Sequence, residues 1–556
     1  MKKTFKKATL LSSFFSIFIL ISLLLTGVTA IGQGSGGLSE TIAIEGGKIS
    51  GLALGENKDV MAFNGIPYAK PPVGPLRWKP PQPVEAWEGI RQTTEYGAAC
   101  VQPDLPMAAL KLAKRSEDCL YLNVWTGAKS ADERRPVMAW IHGGGNVIGS
   151  ADGYTPSGTD PGRLTLQGVV VVSFNYRLGP FGYFAHPLLS KESPHNASGN
   201  YGLLDQIAAL KWVQNNIKTF GGDPGNVTIF GESAGSTNVG YLMASPLAKG
   251  LFHRAICESG SVYIGLQNRH LREGWYGMEP MEKQGERVTK DVGCAEATDP
   301  IAALRALSAE KILEGFKPVM LPWDPGNIFP PVIDGWVLPD DVMTIFDQGR
   351  QNIVPLIAGT NGDEMSIFIQ AAPFPTVDAY RGFLKSPQGL FGTFGDDVFA
   401  LYPAKEPPDI LQSFRDVFAD VVQIGPTRNL VKVVSKTGGA YMYHFTMKWP
   451  GPPAAMGAFH TAEIPFVMDD LERVKNERQI PFDAKDQTLA KTMSAYWVQF
   501  AKTGNPNKEG LPEWPAYDAA KDQYMEFGEA VKVGQGLRKE KLDLWERFND
   551  MKRETR

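Results

Sequence analysis

The stretch Val227-Thr-Ile-Phe-Gly-Glu-Ser-Ala-Gly-Ser236 limits what this chain can fold into more than any other. The apolar run Val227 to Phe230 reads as a buried strand. It is followed by G-x-S-x-G, Gly231-Glu-Ser-Ala-Gly235, and then by a segment of helical character. That order describes a sharp strand-to-helix turn carrying a serine hydroxyl at its tip. Glycines on both sides of the serine remove the Cβ atoms that would keep the two arms apart. A helix starting directly after Ser233 offers free N–H groups and a dipole to a developing oxyanion.

The surrounding chain supplies strands of the same kind. Pro136-Val-Met-Ala-Trp-Ile141 and Val169-Val-Val-Val-Ser-Phe174 are nearly continuous apolar runs, the mark of strands covered on both faces. Phe252 to Gly260, Ile353 to Asn361 and Gly439 to Thr446 read as further strands. Between the second and third runs, Asn200 to Ile217 has helical spacing, with Leu203, Ile207, Leu210 and Val213 on one side. Gln487 to Thr503 has it too, and residues 370–435 look helical. Buried strands alternating with helices predict an α/β fold: a mostly parallel central sheet, helices on both faces and long helical insertions. Thr41-Ile-Ala-Ile-Glu45 and Lys48-Ile-Ser-Gly-Leu52, joined by Gly46-Gly47, predict a hairpin ahead of it. Phe63 to Arg77 holds so much Pro and Gly that an ordered extended loop is expected there rather than a helix or central strand.

The N-terminus has a different composition. Met1 to Lys7 is basic, Leu10 to Leu25 is apolar, and Val28-Thr-Ala30 is a small-residue cleavage site. Residues 1–30 therefore read as a secretory signal peptide, which makes the product exported, periplasmic or secreted. The apolar run is a little short for a membrane span of about 20 residues. Residues 31–40 read as a flexible Gly/Ser linker, and 41–556 as one catalytic domain. A net charge of −4 gives no reason to expect a nucleic-acid partner. Cys100, Cys119, Cys257 and Cys294 all follow the leader, in a compartment where disulfides persist. Four cysteines allow three full pairings, with free buried thiols as the alternative. No metal-ligand cluster is recognisable, and no metal or organic cofactor is expected. Asn196-Ala-Ser198 and Asn226-Val-Thr228 match glycosylation acceptors, but neither is expected to matter.

A serine at neutral pH needs a base, a group to orient that base, and donors for the oxyanion. Of the seven histidines, His460 is the best base, in a loop after a strand and downstream of acid candidates. Glu364 directly follows a buried strand, and Asp363 beside it is the alternative; the residues alone prefer neither. His142-Gly-Gly-Gly145 ends another buried strand, where its backbone can reach a substrate carbonyl. The oxyanion donors are assigned to Gly144, Gly145 and Ala234. Trp140 and Trp212 read as core.

Taken together, these residues resemble the type-B carboxylesterases, the cholinesterase, carboxylesterase and lipase group of α/β-hydrolases. The likeness covers about residues 41–530. It rests on Phe63-Asn-Gly-Ile-Pro-Tyr-Ala69, Glu117-Asp-Cys-Leu-Tyr-Leu-Asn123, His142-Gly-Gly-Gly145, Asn175-Tyr-Arg-Leu-Gly179, the elbow, and Phe500-Ala-Lys-Thr-Gly-Asn-Pro-Asn507. The resemblance implies a Ser233, Glu364, His460 triad. It places Glu232 and Ser259 in a polar layer behind the serine. It also implies a Cys100–Cys119 disulfide and buried ion pairs Arg77–Glu117 and Arg177–Asp205. The family's second disulfide lacks its usual partner, because Ala303 stands there; Cys257–Cys294 is the pairing left. Where the family often has an aromatic after the triple glycine, this chain has Asn146, which is expected to change the pocket wall. The implied activity is hydrolysis of small-molecule carboxylic esters through an acyl-enzyme. The alternatives are a lipase whose lid carries Leu105, Met107, Leu110 and Leu112, or a non-catalytic binding relative lacking turnover.

Overall fold

The structure is a computed structural model. It describes residues 38, 40–55, 58–104, 114–152, 162–264, 269–274, 278–319, 326–386 and 391–554. The expected signal peptide, nearly all of the linker, and the lid candidates Leu105, Met107, Leu110 and Leu112 lie outside them. No helix among the described residues is long and apolar enough to cross a membrane.

Among the described residues, eleven strands form the central sheet: β1 (Leu52–Leu54), β2 (Val60–Pro67), β3 (Tyr121–Thr126), β4 (Arg135–Ile141), β5 (Val170–Phe174), β6 (Gly222–Glu232), β7 (Arg254–Glu258), β8 (Leu356–Asn361), β9 (Ala440–Phe445), β10 (Gln523–Phe527) and β11 (Val531–Gln535). Their spatial order is β11-β10-β9-β8-β7-β6-β4-β5-β3-β2-β1. From β5 across to β10 every neighbouring pair is parallel, and the antiparallel pairs lie toward the two edges.

The continuous apolar runs are explained by burial on two sides. Val137, Ala139 and Ile141 of β4 join one hydrophobic layer, while Met138 and Trp140 join the other. The helix Tyr201–Asn216 is buried almost all round, Asp205 and Gln206 included, so its apolar stripe marks only part of its contacts. The hairpin forms as expected, pairing Thr41–Ile44 with Gly47–Ser50.

One expectation fails. Phe63 to Pro67 is not a loop but the second half of β2, paired with β3, while β1 pairs with Val60–Ala62. The register shifts between Phe63 and Ile66. Gly65, at φ +67°, absorbs the shift as a bulge, and Pro67 falls at the strand's end, where its missing donor costs least.

Parallelism and register together build the site. Gly231 of β6 lies beside Ile141 of β4, Glu232 beside Glu258 of β7, and Glu258 beside Gly359 of β8. The carboxyl ends of β4, β6, β7 and β8 therefore open onto one edge, where open α/β sheets place their ligands. The segment after β9 returns to the same edge, where Asp363 bridges Phe459.

Candidate active site

Ser233 sits at the tip between β6 and the helix Ala234–Ala244, at φ 58° and ψ −124°. A left-handed backbone at a non-glycine residue is strained and needs outside support. Support comes from β7: the Ser233 N–H donates to the Glu258 carbonyl at 2.8 Å. The flanking glycines are required by space. A Cβ at Gly235 would lie 2.0 Å from the Ile141 carbonyl oxygen, and one at Gly231 2.5 Å from it.

The glycine loop packs against this tip. A Cβ on Gly143 would be 3.0 Å from the Ser233 Cβ. Among the described residues, the N–H groups of Gly144, Gly145 and Ala234 donate no hydrogen bond, so all three donors are free for a ligand. The loop turns on itself, with Val147 and Ile148 N–H both donating to the Gly144 carbonyl at 3.0 Å. Its first carbonyl, on His142, accepts from the Tyr176 hydroxyl at 2.7 Å. Burial pushes the His142 imidazole down to about 4, so it stays neutral.

His460 and Glu364 meet directly, Nδ1 to Oε2 at 2.6 Å, both fully enclosed. The other carboxylate oxygen, Oε1, accepts the Asn361 N–H at 2.7 Å. Asp363 points elsewhere: its carboxylate accepts the Ala458 N–H at 2.9 Å and pins the segment leading to His460. The two neighbouring acids thus have different partners, and the pair with the imidazole is Glu364.

Glu232 is not simply behind the serine. Its Oε1 lies 3.0 Å from His460 Nε2, facing the same nitrogen that would serve Ser233. No hydrogen bond joins the Ser233 hydroxyl to His460 in this arrangement. Burial alone would lower the imidazole, but Glu232, Glu364 and Glu463 outweigh it and lift it to about 9. Ser259 bonds this layer, its Oγ 3.4 Å from Glu463 Oε1.

Two further acids stand here that the sequence reading does not single out. Glu463, raised to about 7 chiefly by burial, is held by Asn361, which also donates to the Phe459 carbonyl at 2.8 Å. Glu258 accepts from the Trp497 indole at 2.8 Å and is raised well above its ordinary range by burial. A charged residue ending an apolar strand is the available signal for Glu258, and a carboxylate three residues past the histidine for Glu463.

The disulfide Cys100–Cys119 is present, but Cys257 and Cys294 are free and buried. Cys257 lies within β7 with its thiol toward the Ser236 carbonyl, whereas Cys294 follows the end of the helix Met281–Asp291 and turns to Val292. The expected second bridge is therefore absent. Burial pushes the Cys257 thiol up to about 12. Both implied ion pairs form: Arg77 to Glu117 at 2.7 Å through Nε, and Arg177 to Asp205 at 2.7 and 2.8 Å. Such pairs fix geometry more than they add net stability. Asn146 is buried, with its amide bonded to Asn238 and Tyr183. Trp140 and Trp212 are core, as expected.

A parallel sheet that delivers a strained serine elbow, a glycine loop with free amides and a carboxylate–imidazole pair to one edge defines an α/β-hydrolase. Comparison with known proteins narrows the class. The carboxylesterase family model matches residues 38–545. Fumonisin B1 esterase of Sphingopyxis macrogoltabida is 36% identical over 499 residues, covering 88% of this chain and 87% of that one. Para-nitrobenzyl esterase of Bacillus subtilis (strain 168) is 36% identical over 486 residues, covering 86% and 92%. Cocaine esterase of Homo sapiens is 34% identical, covering 93% and 92%. A solved PNB esterase structure superposes with a TM-score of 0.77 at 32% identity, covering 91% of this chain and 99% of its own. The chain belongs to the carboxylesterase family, a group of serine carboxylic-ester hydrolases.

Proposed function

We propose that this carboxylic-ester hydrolase works through a Ser233, His460, Glu364 triad and an acyl-enzyme intermediate. The observation that carries the reading is the 2.6 Å bond between His460 Nδ1 and Glu364, beside a strained serine elbow. Glu364 holds the imidazole with its proton on Nδ1, so Nε2 is the basic nitrogen. As substrate binds, Nε2 turns from Glu232 to the Ser233 hydroxyl; such contacts tighten in the Michaelis complex. The serine oxygen attacks the ester carbonyl as its proton passes to Nε2. The Gly144, Gly145 and Ala234 amides receive the oxyanion. His460 then returns the proton to the leaving alcohol, and water cleaves the acyl-serine by the same route. Glu232 beside Nε2 favours the imidazolium formed in each step.

The substrate is a small-molecule carboxylic ester, a reading supported by relatives that are named as esterases. Export is proposed from the leader-like N-terminus and is supported by a disulfide, which persists in oxidising compartments.

The test is hydrolysis of a p-nitrophenyl ester series from acetate to palmitate by wild type and Ser233→Ala. Serine-dependent turnover of the short esters is expected, with a loss on the order of 10⁴ or more in the variant. Equal turnover by Ser233→Ala would remove the serine from the mechanism.

A further inference from the structure

The oxyanion donors come from two separate pieces of backbone. Gly144 and Gly145 belong to the loop after β4, while Ala234 begins the helix after β6. A hole made of two pieces works only if their spacing is fixed, since a displacement of about 1 Å in such a site costs on the order of a hundredfold in rate.

Most of the loop's ties lead away from the helix. Gln102 exchanges two hydrogen bonds with Gly149, each 2.9 Å. The Gly179 N–H donates to the Asn146 carbonyl at 2.6 Å, and Tyr176 holds the His142 carbonyl. Among the described residues, the hydrogen-bonded link from the loop to the serine helix is one amide pair. Asn238 Nδ2 donates to Asn146 Oδ1 at 2.8 Å, with a longer return contact of 3.4 Å from Asn146 Nδ2 to Asn238 Oδ1. Asn238 stands one helical turn after Ala234 and is fully enclosed; Asn146 directly follows Gly145 and is 5% exposed. Tyr183 donates to Asn146 Oδ1 as well, at 3.3 Å.

The backbone makes asparagine suit this place. Gly144, Gly145 and Asn146 are all left-handed, at φ +100°, +64° and +58°. Asparagine tolerates that conformation better than other residues bearing a side chain. Its amide is short and two-faced, so it can reach a partner on the helix while the loop keeps its turn.

We propose that the Asn146–Asn238 pair is a positioning clamp that holds the Gly144 and Gly145 amides in register with the Ala234 amide, and so sets the oxyanion hole. The proposal rests on the oxyanion role assigned to those three amides. Neither asparagine touches the reacting atoms; both act through the backbone they hold.

The test is a double-mutant cycle with Asn146→Gly and Asn238→Ala. Glycine keeps the left-handed backbone and removes only the amide arm. Wild type and Ser233→Ala are assayed first on p-nitrophenyl acetate, because serine-independent turnover would overturn the triad reading itself, separately from the clamp. Given serine-dependent turnover, each single variant is expected to lose about 10- to 100-fold in kcat, with KM within about threefold. Affinity for an aryl trifluoromethyl ketone, which forms the tetrahedral oxyanion on Ser233, falls in parallel with kcat/KM. The double variant loses no more than about threefold beyond the worse single, because the two arms make one interaction. Asn146→Asp keeps an acceptor oxygen for Asn238 and Tyr183 and recovers most of the rate. Circular dichroism identifies any variant that does not fold, and Asn238→Ser takes the place of an unfolded Asn238→Ala, Asn146→Ala that of an unfolded Asn146→Gly. A kcat and ketone affinity within threefold of wild type, losses confined to KM, or losses that multiply in the double variant would each overturn the clamp.

Discussion

Glu364→Gln probes the proposed orienting acid with almost no change in shape. In the wild type both carboxylate oxygens accept: Oε2 from His460 Nδ1–H at 2.6 Å, and Oε1 from the Asn361 N–H at 2.7 Å. A glutamine has one acceptor and one donor end. If its oxygen stays on Asn361, its NH₂ faces Nδ1 and forces the imidazole into the tautomer with the proton on Nε2. Glu232 Oε1, 3.0 Å from Nε2, favours a proton there by its charge. Loss of one charge-assisted hydrogen bond costs about 1.5–3 kcal/mol. At 1.36 kcal/mol per tenfold, that is a loss of about 10–10² in kcat. The assay is kcat and kcat/KM on p-nitrophenyl acetate at pH 8, with circular dichroism as the folding control. Asp363→Asn is the matched control: its side-chain oxygen can still accept the Ala458 N–H, so less than tenfold is expected. A loss under tenfold for Glu364→Gln, or a larger loss for Asp363→Asn, would show that the acid is misassigned.

Glu232→Gln removes the carboxylate at Nε2. Because carboxylates raise His460 to about 9 and its charged form is not a base, wild-type kcat/KM should climb as pH rises toward about 9. The variant should shift that limb down by about 1–2 units, read from kcat/KM between pH 5 and 10. The same shift bears on stability: a folded value above the ordinary 6.5 gives stabilisation that is full below pH 6.5 and lost as pH rises through about 9. Denaturant titrations of the variant should show a flatter decline over that window. Asp205→Asn should cost about 3–5 kcal/mol in urea unfolding by leaving Arg177 buried without its counter-charge, and the pair change Arg177→Met with Asp205→Leu should cost less than that single change. Cys100→Ser with Cys119→Ser opens a loop of 19-residue separation and should lower stability by about 3 kcal/mol, whereas Cys257→Ser should leave the disulfide count by mass spectrometry unchanged.

The parallel strands are legible because burial on two faces imposes an unbroken apolar run, and the runs that begin at Pro136 and Val169 form β4 and β5 almost to the residue. Phe63 to Pro67 misleads because composition predicts the average cost of Gly and Pro, not the single bulge at Gly65 that removes it. Asp363 and Glu364 cannot be separated along the chain, since both are carboxylates and only their directions differ; the family likeness supplies the choice, and the geometry gives them different partners. Cys257 and Cys294 show the same limit: the chain counts thiols but does not say where they point. Backbone strain is the best hidden of all. Glycine advertises a left-handed position, but Asn146, Ser233, Ser259 and Thr461 adopt φ of 58°, 58°, 52° and 76° with no such signal. All four border the candidate active site. Strained backbone persists only where its surroundings over-determine it, and here those surroundings come from elsewhere in the chain: Glu258 for Ser233, Gly359 for Ser259, Asn238 for Asn146. The local rules therefore fail where strand register has placed the chemistry, and contacts from distant segments supply what the local sequence cannot.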